Sequence, residues 1–212
     1  MKAFQEFIQD NRIDFWKFHE IFQINSEIAF VKVKNQIWTL ERSHIFRVKE
    51  TLKPLGIAIT DDQAIRFQKI YEQYQKEIEV YPLITEILDF LKKQEVLSII
   101  ITNGPKLHQR NKIRNLNLEK YFATEEIVVS GEEGIAKPDK GIFHLAEERF
   151  QLDKATTWYI GDSYSNDIIG AREAGWNSIW FNPRIEKRED NIATSTVSST
   201  PELFDLIKRM FD

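Results

Sequence analysis

The chain has 212 residues, 42% of them hydrophobic, and a formal net charge of −4 at pH 7. That is enough apolar material for one good core, or a core with a small satellite, and it gives no global pull toward nucleic acid or an anionic membrane surface. It contains no cysteine, which excludes disulfides, thiolate metal sites and cysteine nucleophiles and suits a reducing compartment.

The opening residues Met1-Lys2-Ala3-Phe4-Gln5-Glu6-Phe7 lack the apolar run of a signal peptide, and no window approaches the roughly 18 apolar residues of a membrane span. The expectation is a soluble, cytoplasmic protein with no membrane or nucleic-acid partner. From Met1 to about Tyr81 the pattern is helical. Ile21, Ile24, Ile28 and Val31 recur at three and four residues, as one apolar helix face does, although Ile28 to Val33 is β-branched enough to read as a strand. Asp61-Asp62 opens another helix, with Ile65, Phe67, Ile70, Tyr71 and Tyr74 on its apolar side and Gly56 at the turn before it. Phe15, Trp16, Phe18, Phe22, Phe30, Trp38 and Phe46 suit the core of a small bundle; stacking on a substrate ring is the other reading.

The period changes at Tyr81-Pro82. Ile84, Ile87, Leu88 and Leu91 predict an amphipathic helix, and Val96 to Ile101 a buried strand. A helix from about Lys106 to Leu116, a strand Ile127 to Ser130, a helix from about Lys140 to Phe150 and strands at Thr157 to Ile160 and Asn177 to Phe181 follow. Strands alternating with helices predict an α/β fold with a parallel sheet. The polar stretch Asn182 to Ser199 reads as a surface loop. Thr200-Pro201-Glu202 supplies an N-cap, a first-position proline and a first-turn acid for a last helix.

Three strand ends carry chemistry. Ile101-Thr102-Asn103-Gly104-Pro105 offers a hydroxyl and turn amides that can hold an anion at the next helix's N-terminus; it is equally a structural turn. Lys137-Pro138 presents an ammonium from backbone that the proline keeps extended, or is an ordinary surface lysine. In Gly161-Asp162-Ser163-Tyr164-Ser165-Asn166-Asp167, Gly161 lets the chain turn sharply and two aspartates follow where open α/β sheets bind ligands. Their hard oxygens suit Mg²⁺; a helix cap and a first-turn charge are the bland alternative. Jointly, a hydroxyl, a lysine and two aspartates can bind a phosphate, neutralise it and hold Mg²⁺. His19, His44, His108 and His144 share no ligand spacing and read as structural or surface residues.

The order Thr-Asn-Gly, Lys-Pro, Gly-Asp-Ser and Asn-Asp resembles the haloacid dehalogenase superfamily, particularly its small-molecule phosphatases with a helical cap. The resemblance implies a Rossmann-like core over 81–212 and a cap over 1–80; the Thr-Asn-Gly form and the aromatic cap are similar to nucleotide 5′-phosphatases and acylneuraminate-9-phosphatase-like enzymes. By it, Thr102, Asn103, Gly104 and Lys137 bind the phosphate of a small phosphorylated metabolite or nucleotide, Thr102 and Lys137 assist the chemistry, and Asp162 and Asp167 hold Mg²⁺, Asp162 directly. The family's reaction passes through an aspartyl phosphate. A 2-haloacid dehalogenase and a non-catalytic phosphate-ester-binding protein are the rival readings.

One element departs from the family. Its nucleophile lies in an Asp-x-Asp-x-Thr motif on a strand before the cap, and this sequence contains no such motif. Asp10, Asp14, Asp61 and Asp62 lie in helical sequence with no apolar strand before them. The expectation is a core lacking its first strand, with two unpaired edges, and a chain with little or no turnover. The explanations are a start codon assigned too late or a shortened chain, replacement of the strand by another segment or a partner, or a true pseudoenzyme.

Overall fold

The computed structural model describes residues 1–8 and 13–211. The chain divides into two compact units, Met1–Ile78 and Glu79–Asp212.

The first unit is helical: α1 (Lys2–Phe7), α2 (Phe15–Lys34), α3 (Leu40–Leu52) and α4 (Asp61–Lys76). Its starts are written in the sequence. Asp14 caps α2 by accepting from Lys17 N at 2.7 Å, and Thr60, one residue before the expected Asp61, caps α4 in a reciprocal box with Gln63. Phe4, Phe18, Phe22, Val48, Leu52, Ala64 and Phe67 form the core, so Phe18 and Phe22, with Phe15 packed against them, are packing residues, with ring centroids such as Phe4–Phe18 at 4.8 Å, whereas Trp16 is 49% exposed. The face chosen on α2 differs from the expected one. Phe18, Phe22, Asn25 and Ala29 are buried, whereas Ile24, Ile28 and Val31 are exposed. The helix carries two apolar stripes, and the one with two phenylalanine rings removes more surface from water. Ile28 to Val33 is helix throughout. Asp61 ion-pairs with Lys49 at 2.6 Å; Asp10 lies outside the described residues.

The second unit alternates helices and strands: α5 (Pro82–Lys93), β1 (Ile100–Thr102), α6 (Lys106–Asn115), β2 (Ile127–Val129), α7 (Ser130–Glu133), α8 (Lys140–Phe150), β3 (Trp158–Gly161), a π-helical turn Tyr164–Ile168 leading into α9 (Ile169–Ala174), β4 (Asn177–Phe181), β5 (Ser195–Val197) and α10 (Thr200–Phe211). All pairings are parallel, but they fall into two sheets, β1-β2 and β3-β4-β5. Among the described residues no strand pairs with the second edge of β1 or of β3.

Three expectations are corrected here. The strand predicted over Val96 to Ile101 is confined to Ile100–Thr102, the residues that find partners in Ile127–Val129; with β2 the only neighbour, the preceding apolar residues stay outside the ladder. The stretch Asn182 to Ser199 contains β5, whose Ser195–Val197 pairs with Ile179–Phe181. A three-residue edge strand among polar residues has too little alternation to show in sequence. The last helix starts on Thr200, with the Ser199 hydroxyl accepting from Glu202 N at 3.4 Å.

Candidate active site

Thr102, Lys137 and Asp167, distant in sequence, meet at the carboxyl ends of β1 and β3. Lys137 is the hub. Its Nζ donates to Asp167 Oδ1 at 2.7 Å, to the Tyr159 hydroxyl at 2.7 Å and to the Ile101 carbonyl at 3.0 Å, which employs all three ammonium protons. The Lys137 and Asp167 side chains are 10% and 6% exposed, so this is a buried, hydrogen-bonded pair and not a surface bridge.

The backbone at Lys137 is held by Asn103. Its side-chain amide donates to Lys137 O at 2.8 Å, and its carbonyl accepts from Lys137 N at 2.9 Å. The Asn103 side chain therefore positions the lysine loop rather than facing a ligand. Gly104 adopts φ +143° and donates its N–H to Ser130 Oγ at 3.0 Å, tying the loop after β1 to the end of β2. Arg110 locks the same region by a two-pronged bond to Glu132, at 3.0 and 2.7 Å.

Thr102 donates to Gln109 Oε1 at 3.1 Å, and Gln109 Nε2 donates to the Asn103 carbonyl at 2.9 Å. Gln109 thus occupies the Thr102 hydroxyl and was not expected from the motifs; its only sequence signal is its place in the first turns of the helix that follows Thr-Asn-Gly-Pro. Tyr159 was read as an apolar strand residue, yet its hydroxyl also donates to the Ile101 carbonyl at 3.1 Å. Its phenol inside a strand was the available signal.

Asp167 Oδ2 accepts from Ser163 N at 3.0 Å, so both of its oxygens are engaged. Asp162 lies one residue past β3, exposed, its carbonyl accepting from Trp180 Nε1 at 3.3 Å; the helix cap is the neighbouring Ser163, which accepts from Asn166 N at 3.4 Å. The role foreseen for Gly161 changes. It is absent from the positive-φ glycines, and a Cβ there would sit 2.4 Å from Asp167 Oδ2. Glycine is needed for the close approach of that carboxylate, not for a turn.

As to magnesium, hard carboxylate oxygen is the right donor chemistry, but among the described residues no group of three or more His, Cys, Asp or Glu side chains is placed to share a cation. Among the described residues nothing bonds the Asp162 carboxylate, which is exposed, and Asp167 is bonded to Lys137.

The electrostatics make one prediction. Burial opposes the charge on Lys137, but Tyr159 and Asp167 outweigh it and hold its pKa above the ordinary lysine value. Burial, reinforced by Asp167 against the opposing pull of Lys137, pushes the Tyr159 phenol up to about 12 from 10.0. Both folded-state values are raised, so the stabilisation is complete below the unfolded values, about 10 for tyrosine and 10.4 for lysine, and is lost as pH rises through the folded ones. Urea midpoints of the wild type should be flat from about pH 7 to 9.5 on this account and fall above pH 10. Tyr159→Phe should show a shallower alkaline fall; equal slopes would refute the coupling.

Lys137, Thr102, Asp162 past the end of β3 and Asp167 in the turn that follows lie in an α/β unit whose strand pairings are all parallel. The chain belongs to the haloacid dehalogenase-like hydrolase family, whose profile matches residues 18–181. It is similar to the glyceraldehyde 3-phosphate phosphatase of Pyrococcus furiosus, 29% identical over 56% of this chain and 50% of that one. To the pyrimidine 5′-nucleotidase YjjG of Escherichia coli it is 37% identical over 51% and 48%. Among solved structures, the HAD-hydrolase YfnB of Bacillus subtilis bound to magnesium superposes with a TM-score of 0.67 at 24% identity, over 97% of this chain and 89% of that one. The matched segments span about half the length of the first two relatives. No helix among the described residues is long and apolar enough to cross a membrane.

Proposed function

We propose that this chain carries most of a Mg²⁺-dependent phosphomonoester hydrolase acting on a small phosphorylated metabolite or nucleotide, and that residues 1–212 by themselves turn over little or nothing. The observation that carries this reading is Lys137, a buried ammonium held by Asp167, Tyr159 and Ile101 O beside Thr102. A cation so placed, in low dielectric, is suited to a phosphoryl group. Two of the relatives named above are a glyceraldehyde 3-phosphate phosphatase and a pyrimidine 5′-nucleotidase, which supports the substrate class.

The chain's own residues divide the work. Lys137 neutralises phosphate charge, exchanging its bond to Ile101 O for one to the ligand. Thr102 donates its hydroxyl to a phosphate oxygen once Gln109 gives way. Asn103 keeps the lysine loop in register, and Gly104 lets backbone come close. Asp162 would hold Mg²⁺, with Asp167 fixing its surroundings and water and substrate oxygens completing the coordination, since Mg²⁺ keeps several waters and needs few carboxylates. Bound there, the ion would withdraw charge from the phosphoryl oxygens. The helical unit Met1–Ile78 would serve as the cap that selects the rest of the substrate, in the cytoplasm.

No carboxylate other than Asp167 bonds Lys137 among the described residues, and the sequence holds no Asp-x-Asp-x-Thr motif to supply the family's nucleophile. Assay with p-nitrophenyl phosphate and Mg²⁺ should therefore show no turnover above the Lys137→Ala background, while calorimetry with inorganic phosphate should show binding in the wild type that falls at least tenfold in Lys137→Ala. Mg²⁺-dependent turnover abolished by Asp162→Ala would sink the inactivity claim; phosphate binding indifferent to Lys137 would sink the site.

A further inference from the structure

The 20-residue helix α2 carries a second apolar stripe that its own unit leaves outside. Phe18, Phe22, Asn25 and Ala29 are the buried residues, whereas Ile24, Ile28 and Val31 are 53%, 42% and 50% exposed on the surface of the whole chain. With the half-buried Ile21 they step along the helix by three, four and three residues, the spacing of the a and d positions of a heptad seam. Lys17 and Asn35 continue the same steps at the two ends. One flank of the seam is heptad-spaced as well, since Glu20, Glu27 and Lys34 follow one another at intervals of seven and are all exposed. Single exposed apolar residues are ordinary, but β-branched ones lined up along a seam form a patch of the kind that marks an interface.

The pattern fits a second copy of the same helix running in the opposite direction. In an antiparallel pair about a two-fold axis, a positions meet d positions of the other copy and like flanks meet each other. An axis centred between Ile24 and Ile28 sets Ile24 against Ile28, Ile21 against Val31 and Lys17 against Asn35, each contact occurring twice. The flank then places Glu20 of each copy beside Lys34 of the other, so opposite charges meet at both ends of the seam. Glu27 meets its own counterpart at the axis, an unfavourable contact that weakens the pair. A parallel pair would instead put Lys17 on Lys17 within the seam and align the two helix dipoles. An anionic lipid surface would be repelled by Glu20 and Glu27 along the stripe. Two helices about 30 Å long that meet along one face bury on the order of 1,000–1,200 Å² in total, at the low end of specific interfaces.

We propose that the outer face of α2 is a self-association surface, on which two copies of this chain pair antiparallel through Ile21, Ile24, Ile28 and Val31, with Glu20 and Lys34 bridging at both ends. The apolar seam supplies the affinity. The charges fix direction and register, since exposed ion pairs by themselves are worth little. The modest area and the Glu27 contact set a dissociation constant of roughly 1–50 μM. The inference stands on α2 alone, whatever reaction the chain takes part in.

Sedimentation equilibrium of the full chain, from about 1 to about 200 μM, should show the average mass rising from that of the monomer toward twice it. Ile24→Gln combined with Ile28→Gln places good helix formers at exposed positions; it should weaken the dimer at least about thirtyfold and leave the circular dichroism and urea midpoint of the wild type. Glu20→Lys and Lys34→Glu should each weaken it about tenfold, and the two together should return it to within about threefold of the wild type. Glu27→Gln should tighten it about threefold by removing the like-charge contact. A monomer at about 200 μM, a dimer indifferent to the two glutamines, charge reversals that add instead of cancelling, or no gain of affinity in Glu27→Gln would each overturn the proposal. So would monomers that bind phosphatidylcholine–phosphatidylglycerol vesicles through the same isoleucines, since lipid would then be the occupant.

Discussion

Lys137→Met should destabilise the unit Glu79–Asp212 by about 3–5 kcal/mol, the cost of leaving a buried charge without its partner. Asp167 is 6% exposed and receives the ammonium at 2.7 Å, and methionine fills a similar volume with no donor. The carboxylate keeps the N–H of Ser163 and the neighbouring Tyr159 hydroxyl but no cation, too little for an anion in a dry site. The Ile101 carbonyl fares better, because Tyr159 still donates to it. This separates two explanations of any loss. If the damage is the orphaned charge, Asp167→Asn in the Lys137→Met background should recover about half or more of it, since a neutral amide removes the desolvation cost. If the loss came from packing at Lys137, the second substitution would add to it. Urea unfolding followed by tryptophan emission measures both, with Trp158, Trp176 and Trp180 in this unit. A single-mutant cost below about 1 kcal/mol would show that the pair is not desolvated in solution.

Gly161→Ala is the second large effect, expected at about 2–4 kcal/mol. The new methyl would lie 2.4, 2.5 and 2.6 Å from Oδ2, Cγ and Cβ of Asp167. Such a contact is relieved cheaply only when the neighbour can swing away. Asp167 cannot, being fixed at both oxygens by Lys137 and Ser163 N and seated in the buried π-helical turn. The informative comparison is Gly134→Ala. Gly134 has φ +75° and open space around its Cβ position, so its cost is backbone strain alone, about 1 kcal/mol. Conformational reasoning by itself ranks Gly134 as the more sensitive glycine, whereas the contact at Asp167 ranks Gly161 far above it. Equal costs for the two would remove the packing account of Gly161.

Much of the local structure was legible because it rests on short-range chemistry. The boundaries of α8 and β4 matched those read from the pattern, the first after its Asp139 cap and the second from a run of apolar residues. The clustering of Thr102, Lys137 and Asp167 also followed from topology: segments that follow the carboxyl ends of parallel strands collect at one end of an α/β unit. What could not be read was how these side chains divide their bonds. Asn103 reads as a ligand-binding group and proves to be a brace for Lys137. Gln109 and Tyr159 carry no motif, yet one holds the Thr102 hydroxyl and the other shares the lysine. On α2, periodicity allowed two apolar stripes, and burial chose the aromatic one.

The sequence by itself determined the helical first unit, the alternation of helices and parallel strands after Tyr81, and membership of the chemistry-bearing residues in one family pattern, because caps, periodicity and strand-end motifs are encoded within a few residues of one another. Only the tertiary structure decided that Gly161 exists to admit a carboxylate, that a tyrosine completes the environment of Lys137, and that the strands separate into two sheets. Each of these depends on groups far apart in the chain arriving within a few ångströms of one another, and such distances are set by packing and pairing across the core, which no local window of sequence contains.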